Sequence, residues 1–476
     1  MVGRKLNKTA APKVTAVIVT WNKKEYVIRL LESLKDIEYP GDRLEILVVD
    51  NNSSDDTVSA IENLYPSVKL IKNRENLGGA GGFNTGMRYV LRERPESEYM
   101  WLLDNDVLVD KRALIEMVKV LEENSMAAVC GSEIIDIENR KEVIELGGMI
   151  DYNYGDVRRN LPCRKDLEVP GRVFEVDYLA ACSLLARVKA VREAGVWHEH
   201  LFIYWDDMEW GARFNALGYK VLASNASKVY HPSWAGRTAD NSAIWRNYYR
   251  SRNALYFFNN YLNGIRRRIL LARIALRYMM FAANACLRAE TALSSAFIDG
   301  IKDFLKGRYG KKDFHMPPNS LKDYIIARKK RALCLFVNEE NRDRDIEKVL
   351  GSVSSVRAMA IIPEENKARW KKKINRDDLV VFRRFRKRAI VWKDKLNILL
   401  FLAKKPWDIL VVNPVAPRMA TIWFKDVARM DFSSGATITI EKMSLKNLFY
   451  IPFQTVFYLV NVLLFPPAKD KVNKKI

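Results

Sequence analysis

The chain has 476 residues, of which 49% are hydrophobic and 29% charged, and this composition excludes low-complexity and collagen-like proteins in favour of a globular protein with one or more sizeable cores. Its net charge of +22 is uneven, because residues 251–476 contain 45 basic and 20 acidic side chains whereas residues 1–250 are almost neutral. A field of this sign attracts polyanions, either nucleic acid or an anionic membrane surface.

The cysteines and the N-terminus favour the cytosol. Five widely spaced cysteines include no C-x-x-C pair, so neither a disulfide framework nor a zinc knuckle is expected. The sequence begins with a polar stretch that has no apolar core, and we therefore expect no secretory signal.

The first elements alternate between strands and helices. Apolar, β-branched runs at 14–20 and 44–50 flank an amphipathic stretch at 24–35, which is typical of a β-α-β unit with a buried parallel sheet. Further helices are predicted at 57–64 and 84–92, and further strands at 68–72 and 99–103.

The ends of these strands are the predicted ligand site. Open sheets of this kind bind ligands beyond the carboxyl ends of their strands, and Thr20, Asp50 and Asp104 fall there. Strand and helix signals at 173–188 and 217–231 continue the same domain. The first 110 residues are therefore predicted to form a nucleotide-binding type of sheet.

Two acidic residues follow the strand that ends near Leu103. Asp104 and Asp106 are one residue apart, and alternate residues of an extended chain point the same way. Carboxylates so placed suit a hard divalent cation, Mg²⁺ or Mn²⁺, that also binds diphosphate oxygens. Acidic turn residues are common, so it is the position at the end of a strand that favours a metal site.

A second acidic pair follows the apolar run 201–204. Asp206 and Asp207 stand beside Trp205, and charged groups among aromatic rings favour a functional site. The structural alternative is a helix N-cap, in which either carboxylate accepts backbone N–H bonds. His231 follows a strand-like run, and a single histidine is more often structural than a ligand.

From Ala254 onward the pattern becomes helical. Arg266, Arg273, Arg277 and Arg288 fall on one narrow stripe at about 100° per residue, which predicts a basic amphipathic helix. The arginine face either contacts an anionic membrane or is the solvated face of an ordinary packed helix.

An apolar segment lies near the end of the chain. Residues 448–465 contain no charge, and lysines flank them on both sides. At about 1.5 Å per residue the segment reaches about 27 Å, the lower limit for a membrane span. Because Asn447, Gln454 and Asn461 form a thin polar stripe, we expect a helix that lies in the membrane interface or pairs with a copy of itself.

Between these helical regions, short apolar runs alternate with charged segments. This alternation predicts a second small α/β domain, whose role is unknown and in which no catalytic constellation is evident. The runs are 332–337, 359–362, 379–382, 408–413 and 437–440.

Several segments of the N-terminal half together carry a family resemblance. AVIVTWNKKEYVIRLLESL, ILVVDNNSSDDT, NRENLGGAGGFNTGM and WLLDNDV resemble the family-2 glycosyltransferases of GT-A fold. FIYWDDMEWGARFNALGYKV, KVYHPSW and RNYYRSRNALY look specifically like the polymerising galactofuranosyltransferases and related rhamnosyltransferases. The likeness covers residues 14–260 and fades beyond residue 310.

The resemblance implies a set of donor-binding residues. Asp50 would meet the nucleobase, Thr20 would line the same pocket, and Asn76 would lie near the nucleotide sugar. Asp104 would help to hold ribose or metal. The galactofuranosyltransferases have three successive acids where this chain has Asn105 in the middle, so Asn105 alters ribose or metal contacts in this interpretation.

The resemblance also implies the catalytic residues. Asp106 and His231 would ligate Mn²⁺ or Mg²⁺, with Asp104 as a further ligand, and Asp207 would be the general base. Trp205 and Asp206, directly before it, are expected to contact substrate.

The function that the resemblance implies is that of an inverting, metal-dependent glycosyltransferase. It would move a sugar from a nucleotide sugar, with UDP-galactofuranose or dTDP-rhamnose favoured, to a hydroxyl of a lipid-linked or cell-envelope glycan. We expect it at the cytoplasmic face of the cell membrane as a peripheral or monotopic protein that binds no nucleic acid. The alternatives are a basic nucleic-acid-binding protein, supported only by the charge of the C-terminal half, and a non-catalytic scaffold.

The expected fold class is α/β, with a GT-A nucleotide-binding domain built on a mixed sheet, then amphipathic helices and a second small α/β domain. The predicted parts are a flexible N-terminus (1–12), the GT-A domain (13–255), a basic helical region (256–325), the small α/β domain (326–441) and a membrane-associating helix (442–476).

Overall fold

The computed structural model describes residues 11–160, 169, 171–232, 242–287, 290–314 and 445–468, together with strands between residues 332 and 442. Its N-terminal half is a large sheet covered by helices. Four further helices pack on one another, six strands form a second sheet, and two pairs of short strands form separate two-stranded sheets.

The apolar, β-branched runs predicted as parallel strands are strands. All side chains of the first strand but one are buried, as expected when helices cover both faces of a sheet. The bounds are β1 (Val14–Thr20), α1 (Lys24–Lys35), β2 (Leu44–Asp50), α2 (Thr57–Leu64), β3 (Lys69–Lys72), α3 (Gly78–Glu93) and β4 (Tyr99–Asp104).

Helix α3 begins at Gly78, well before the predicted residue 84. The sequence misleads here because glycine is a poor helix former. At Gly82 an added Cβ would lie 2.5 Å from the Cγ1 of Val19, and at Gly86 one would lie 2.2 Å from the Cγ1 of Val17. The missing side chains let α3 lie against β1, so packing overrides propensity.

The rest of this sheet is mixed. β1 is parallel to β2 and β4. The remaining elements of this part are β5 (Leu108–Val109), α4 (Ala113–Glu123), β6 (Ala127–Asp136), β7 (Val143–Glu145), β8 (Gly148–Asp151), β9 (Asp156–Arg159), β10 (Val173–Val176), β11 (Ser183–Arg187), α5 (Val188–Ala194), α6 (Asp206–Ala216) and β12 (Lys220–His231). The strand order is β10-β12-β6-β11-β4-β1-β2-β3, with β5 on β12 and β7 on β6, and β11 is antiparallel to β4 and β6. The predicted α/β class with a mixed sheet is confirmed.

Four helices pack together around an apolar cluster that is separate from the core of the large sheet. Phe257, Ile274, Ile301 and Val462, one from each helix, are all buried in it. The helix predicted at 448–465 therefore returns to the body of the protein, where it packs on the preceding helices. The bounds are α7 (Ser242–Tyr261), α8 (Gly264–Leu287), α9 (Thr291–Leu305) and α10 (Leu445–Leu464).

The arginine stripe of α8 faces the β8–β9 hairpin. Arg266 donates to the side-chain oxygen of Asn153 at 2.9 Å, and Arg273 donates to the Asn153 carbonyl at 3.2 Å. Arg277 pairs with Asp156 at 3.5 Å. The structure therefore supports the packed-helix alternative for these three arginines, whereas Arg288 lies outside the described residues.

One side of α8, next to the arginine stripe, and one side of α10 carry exposed apolar side chains. Within the described part of the chain, Gly264–Cys286 is the one helix long and apolar enough to cross a membrane by length and composition, and half of it is buried. We call the exposed side chains of both helices the apolar face. Its members are Ile265, Ile269, Leu276, Met280 and Phe281 on α8, and Phe453, Val456, Phe457, Val460 and Leu464 on α10.

The runs predicted for the second α/β domain are strands. The strand order of their six-stranded sheet is β15-β14-β13-β18-β19-β20, and β16 pairs with β17. The bounds are β13 (Ala332–Val337), β14 (Arg357–Pro363), β15 (Leu379–Phe382), β16 (Arg384–Phe385), β17 (Ala389–Ile390), β18 (Ile409–Asn413), β19 (Asp426–Asp431) and β20 (Thr437–Lys442).

Candidate active site

Three predicted site residues meet at one edge of the large sheet. Thr20 pairs in register with Asp50, and Asp104 pairs with Val19, so the ends of β1, β2 and β4 are level. The amide of Asn105 donates to the Thr20 hydroxyl at 3.0 Å, which ties the segment after β4 to the end of β1. The sheet thus brings Thr20, Asp50 and Asp104 together where a nucleotide is expected.

Asp50 keeps an acceptor available for a ligand. The side chain is buried, and its Oδ2 accepts a bond from the Ser53 N–H at 3.0 Å. Its Oδ1 is also buried, and it has no hydrogen-bond partner among the described residues. A buried acceptor without a partner is unfavourable, so an N–H group of a nucleobase suits this position.

Asn76 has a structural task at the start of α3. Its Oδ1 accepts a bond from the Gly78 N–H at 2.8 Å and another from the Asn51 amide at 3.2 Å. Gly78 has a φ of +73°, which glycine adopts at no steric cost. Asn76 therefore shapes the turn before α3, and its contact with a nucleotide sugar stays a prediction.

Asp106 and His231 lie together although they are distant in sequence. Leu108 of β5 pairs with Tyr230 of β12, and this pairing brings the His231 Nε2 to 3.1 Å from the Asp106 Oδ1. The His231 Nδ1 lies 2.5 Å from the Pro232 carbonyl oxygen. A backbone carbonyl on one ring nitrogen typically orients the other nitrogen toward a metal, so this pair fits a divalent cation.

Among the described residues, few side chains beside Asp106 and His231 are placed to ligate a cation. No group of three His, Cys, Asp or Glu side chains in the described ranges is placed to hold one ion. The Oδ2 of Asp104 instead lies 3.6 Å from the Cys182 Sγ. A cleft of about 100 Å³ opens beside Asp106 and is also lined by Arg29, a basic residue that no motif in the sequence marks.

Asp206 begins helix α6. It is buried, and burial first, then the charges of Asp104 and Glu209, raise its pKa to about 7. Its carboxylate accepts backbone N–H bonds from its own residue and from Asp207. The N-cap residue of α6 is Trp205, whose side chain makes no cap bond, so the N-cap alternative is wrong for Asp206, which is the first residue of the helix and lies in a cluster of acids.

Asp207 is the more strongly perturbed of the pair. Burial, followed by the neighbouring charges of Asp206 and Glu145, holds its pKa well above the usual range for aspartate. Its Oδ1 accepts a bond from the Met208 N–H at 2.8 Å. A carboxylate with a raised pKa is a stronger base, which is the property that a general base needs near neutral pH.

Glu145 belongs to the same acidic cluster, and sequence reasoning missed it. It ends β7 almost fully buried, and burial raises its pKa to about 8. Its Oε1 has no hydrogen-bond partner in the part of the chain that the structure describes. The only signal in the sequence is a single acid in the short apolar run Val143–Glu145, and only the topology carries it to Asp207.

Trp205, directly before the two acidic residues, is buried among aromatic side chains. Its side chain is 4% exposed, and its ring packs on Phe257 and Phe258 of α7 with centroids 5.1 and 5.4 Å apart. The structure thus gives Trp205 a packing role, because the ring packs into the helical cluster, and its contact with substrate stays a prediction.

Comparison with known proteins agrees with this geometry. Residues 15–170 match the model of glycosyl transferase family 2. The galactofuranosyltransferase GlfT2 of Mycolicibacterium smegmatis is 22% identical over 203 residues, which are 39% of this chain and 30% of that protein. GlfT2 of Mycobacterium tuberculosis is 21% identical over 254 residues, 50% of this chain and 38% of that one.

The chain thus spans well under half the length of these two relatives. Among solved structures, GalNAc-T7 with UDP, GalNAc and Mn²⁺ aligns with 56% of this chain and 51% of that chain, with a TM-score of 0.45 and 15% identity. That structural likeness is too weak to argue from.

Proposed function

We propose, from the family 2 glycosyltransferase domain that residues 15–170 form, that this chain is an inverting glycosyltransferase that requires a divalent cation. The observation that carries the proposal is the pair Asp106 and His231, 3.1 Å apart at the edge where β1, β2 and β4 end. That edge is where sheets of this kind bind nucleotides. Oxygen and imidazole donors together favour Mn²⁺ over Mg²⁺, which prefers oxygen ligands throughout.

Asp106 and His231 hold the cation, and the diphosphate of the donor supplies further ligands. When bound, the cation neutralises negative charge that develops on the departing nucleotide diphosphate. Asp50, with its unpaired buried acceptor, binds the nucleobase, and Thr20 lines the same pocket. Asp104 binds ribose or adds a ligand to the cation.

Asp207 is the general base. It accepts the proton of the acceptor hydroxyl while that oxygen forms a bond to the anomeric carbon of the donor. The bond from that carbon to the nucleotide breaks on the opposite face, and its electron pair leaves with the diphosphate. A single displacement of this kind inverts the anomeric configuration, and base assistance contributes about 10²- to 10⁴-fold in rate.

The donor we favour is UDP-galactofuranose, with dTDP-rhamnose as the second choice. Support comes from the two relatives named galactofuranosyltransferase, and from the sequence resemblance of the segments around Asp207 and His231 to such enzymes. The acceptor we propose is a lipid-linked or cell-envelope glycan.

A donor screen tests this proposal. The chain is incubated with Mn²⁺, a short glycan acceptor and a panel of UDP- and dTDP-sugars, and nucleotide release is measured. We expect release with one of the two favoured donors, and an inverted anomeric centre in the product by NMR. Absence of transfer from every donor in the panel, or retention of configuration, would contradict the proposal.

We also propose that the chain works at the cytoplasmic face of the membrane. The apolar face of α8 and α10 exposes large side chains, among them Met280 at 63% and Phe453 at 68%. Clustered exposed apolar side chains are typical of interaction sites. The excess of basic residues after residue 250 complements anionic lipid, and a lipid-linked acceptor is found at such a surface.

A further inference from the structure

The segment directly before Asp206 has an unusual backbone. Phe202, Tyr204 and Trp205 have φ angles of 67°, 64° and 69°, in the left-handed region that residues with a side chain rarely adopt. Such conformations persist only where the surrounding structure holds them. Because the segment leads into α6, its conformation decides where the carboxylates of Asp206 and Asp207 lie.

Asn253 of α7 holds this segment. Its side chain is fully buried, and its amide nitrogen lies within hydrogen-bond distance of three carbonyl oxygens of this segment. The distances are 2.9 Å to Leu201, 2.9 Å to Ile203 and 2.8 Å to Tyr204. One amide group thus fixes the whole turn that precedes Asp206.

Arg252 orients that amide. Its Nε donates to the Asn253 Oδ1 at 2.9 Å, which leaves the Asn253 nitrogen facing the carbonyls. Its guanidinium also donates to the Leu201 carbonyl at 2.9 Å and to the Gly310 carbonyl at 2.8 Å. The two residues form one fully buried unit, which we call the loop brace.

The braced segment also touches the donor side of the site. The Phe202 carbonyl accepts a bond from the Ala80 N–H of α3 at 3.1 Å. A Cβ on Gly78 would lie only 2.2 Å from that carbonyl oxygen, so the two segments are in close contact. The segment therefore connects the turn before α3 with the acidic start of α6.

We propose that Asn253, oriented by Arg252, is a positioning residue for Asp207. It fixes the strained turn 201–205 and so holds the carboxylate in line with the donor bound at the strand ends. The inference rests on the proposed function, because it takes Asp207 to be the base. A displacement of about 1 Å at a reacting group can cost about 10²-fold in rate, so a small relaxation of the turn is measurable.

The test compares Asn253→Ala with Asn259→Ala. Asn259 lies on the same helix, is equally buried and donates to the Pro467 carbonyl at 3.2 Å, away from the braced turn. For both variants we measure Tm, the Kd of Mn²⁺–UDP, and kcat and KM with UDP-galactofuranose or dTDP-rhamnose, whichever the wild-type chain uses. Hydrogen exchange of the amides from 201 to 207 is followed in parallel.

For Asn253→Ala we expect kcat to fall at least 10-fold, Kd and KM to stay within about 2-fold, and exchange of the 201–207 amides to accelerate. Asn259→Ala should lower Tm to a similar extent with kcat within about 2-fold of wild type. If Asn253→Ala does not fold, Asn253→Ser, which keeps one donor, should show the same pattern more weakly.

Two kinetic results would overturn the proposal: a kcat of the Asn253 variant within 2-fold of wild type, or equal losses of kcat in both variants at equal Tm. A fall of Mn²⁺–UDP affinity in proportion to kcat would also overturn it. If the wild-type chain transfers from no donor in the panel, the proposed function fails, and the exchange measurement alone decides the brace. In that case, hydrogen exchange of the 201–207 amides that is unchanged in Asn253→Ala would contradict the role of Asn253 in holding the turn.

Discussion

The Nε2 atom of His231 lies 3.1 Å from the Oδ1 atom of Asp106. The two residues come from different parts of the chain, and the pairing of β5 with β12 joins them. The pair lies at the carboxyl edge of the sheet, where Asp104 also ends its strand. Its position makes metal dependence the first property to test.

Removal of the cation should abolish transfer. EDTA should bring the rate to background, and Mn²⁺ should restore it, because Asp106 and His231 act only through the ion they hold. His231→Ala should need at least about 10-fold more Mn²⁺ for half-maximal rate, since loss of ligand support typically costs 10- to 100-fold in metal affinity. Full activity in EDTA would exclude the metal assignment.

The rate should fall as pH is lowered through the raised pKa of Asp207. Burial and the charges of Asp206 and Glu145 raise the pKa of Asp207, and a base must be deprotonated to accept a proton. We therefore expect kcat to decrease as pH drops through that raised pKa, well above the range of an ordinary aspartate. A kcat that stays constant from pH 8 down to pH 4.5, measured on protein shown to be folded throughout, would speak against Asp207 as the base.

Asp206 should destabilise the folded chain at neutral and alkaline pH. Its pKa is about 7 when folded but near 3.8 when unfolded, so the folded state binds the proton more tightly and stability falls as pH rises between these values. Asp206→Asn should therefore raise the free energy of unfolding at pH 8 by on the order of 4 kcal/mol, with little change at pH 3.5. The measurement is denaturant unfolding in EDTA at both pH values, and equal effects at the two would contradict the assignment.

The apolar face should govern membrane binding. Met280→Glu combined with Phe457→Glu should weaken binding to liposomes of anionic lipid at least about 10-fold, because charge replaces two side chains that each contribute about 1.5–3 kcal/mol on burial. Leu64→Glu, which changes an exposed leucine on α2, is the matched control and should bind normally. Equal binding by the double variant and the control, or tighter binding of wild type to DNA than to liposomes, would contradict the proposed location.

The parts of the site that local pattern encodes were predictable from the sequence. Thr20, Asp50 and Asp104 each end an apolar, β-branched run, and parallel strands bring such ends to one edge. The start of α3 was not predictable, because its glycines lower helix propensity and are required only by the close approach of β1.

What depends on distant contacts escaped prediction. Glu145 reaches Asp207 through the topology of β7, and no local motif marks it. Arg277 lies on an arginine stripe that could contact either lipid or protein. Only its contacts with the β8–β9 hairpin in the folded structure show that it contacts protein. Asn253 looks like any polar residue of a helix until three carbonyls are found around it.

The central claim, that Asp207 is the base of a metal-dependent transfer, is tested most directly by the turnover of Asp207→Asn. The variant keeps the size of the side chain and removes its capacity to accept the proton. With Mn²⁺ and the donor at saturation, we predict a kcat at least about 10²-fold below wild type with the Kd of Mn²⁺–UDP within about 2-fold. Near-normal turnover by a variant that binds Mn²⁺–UDP normally would contradict the account.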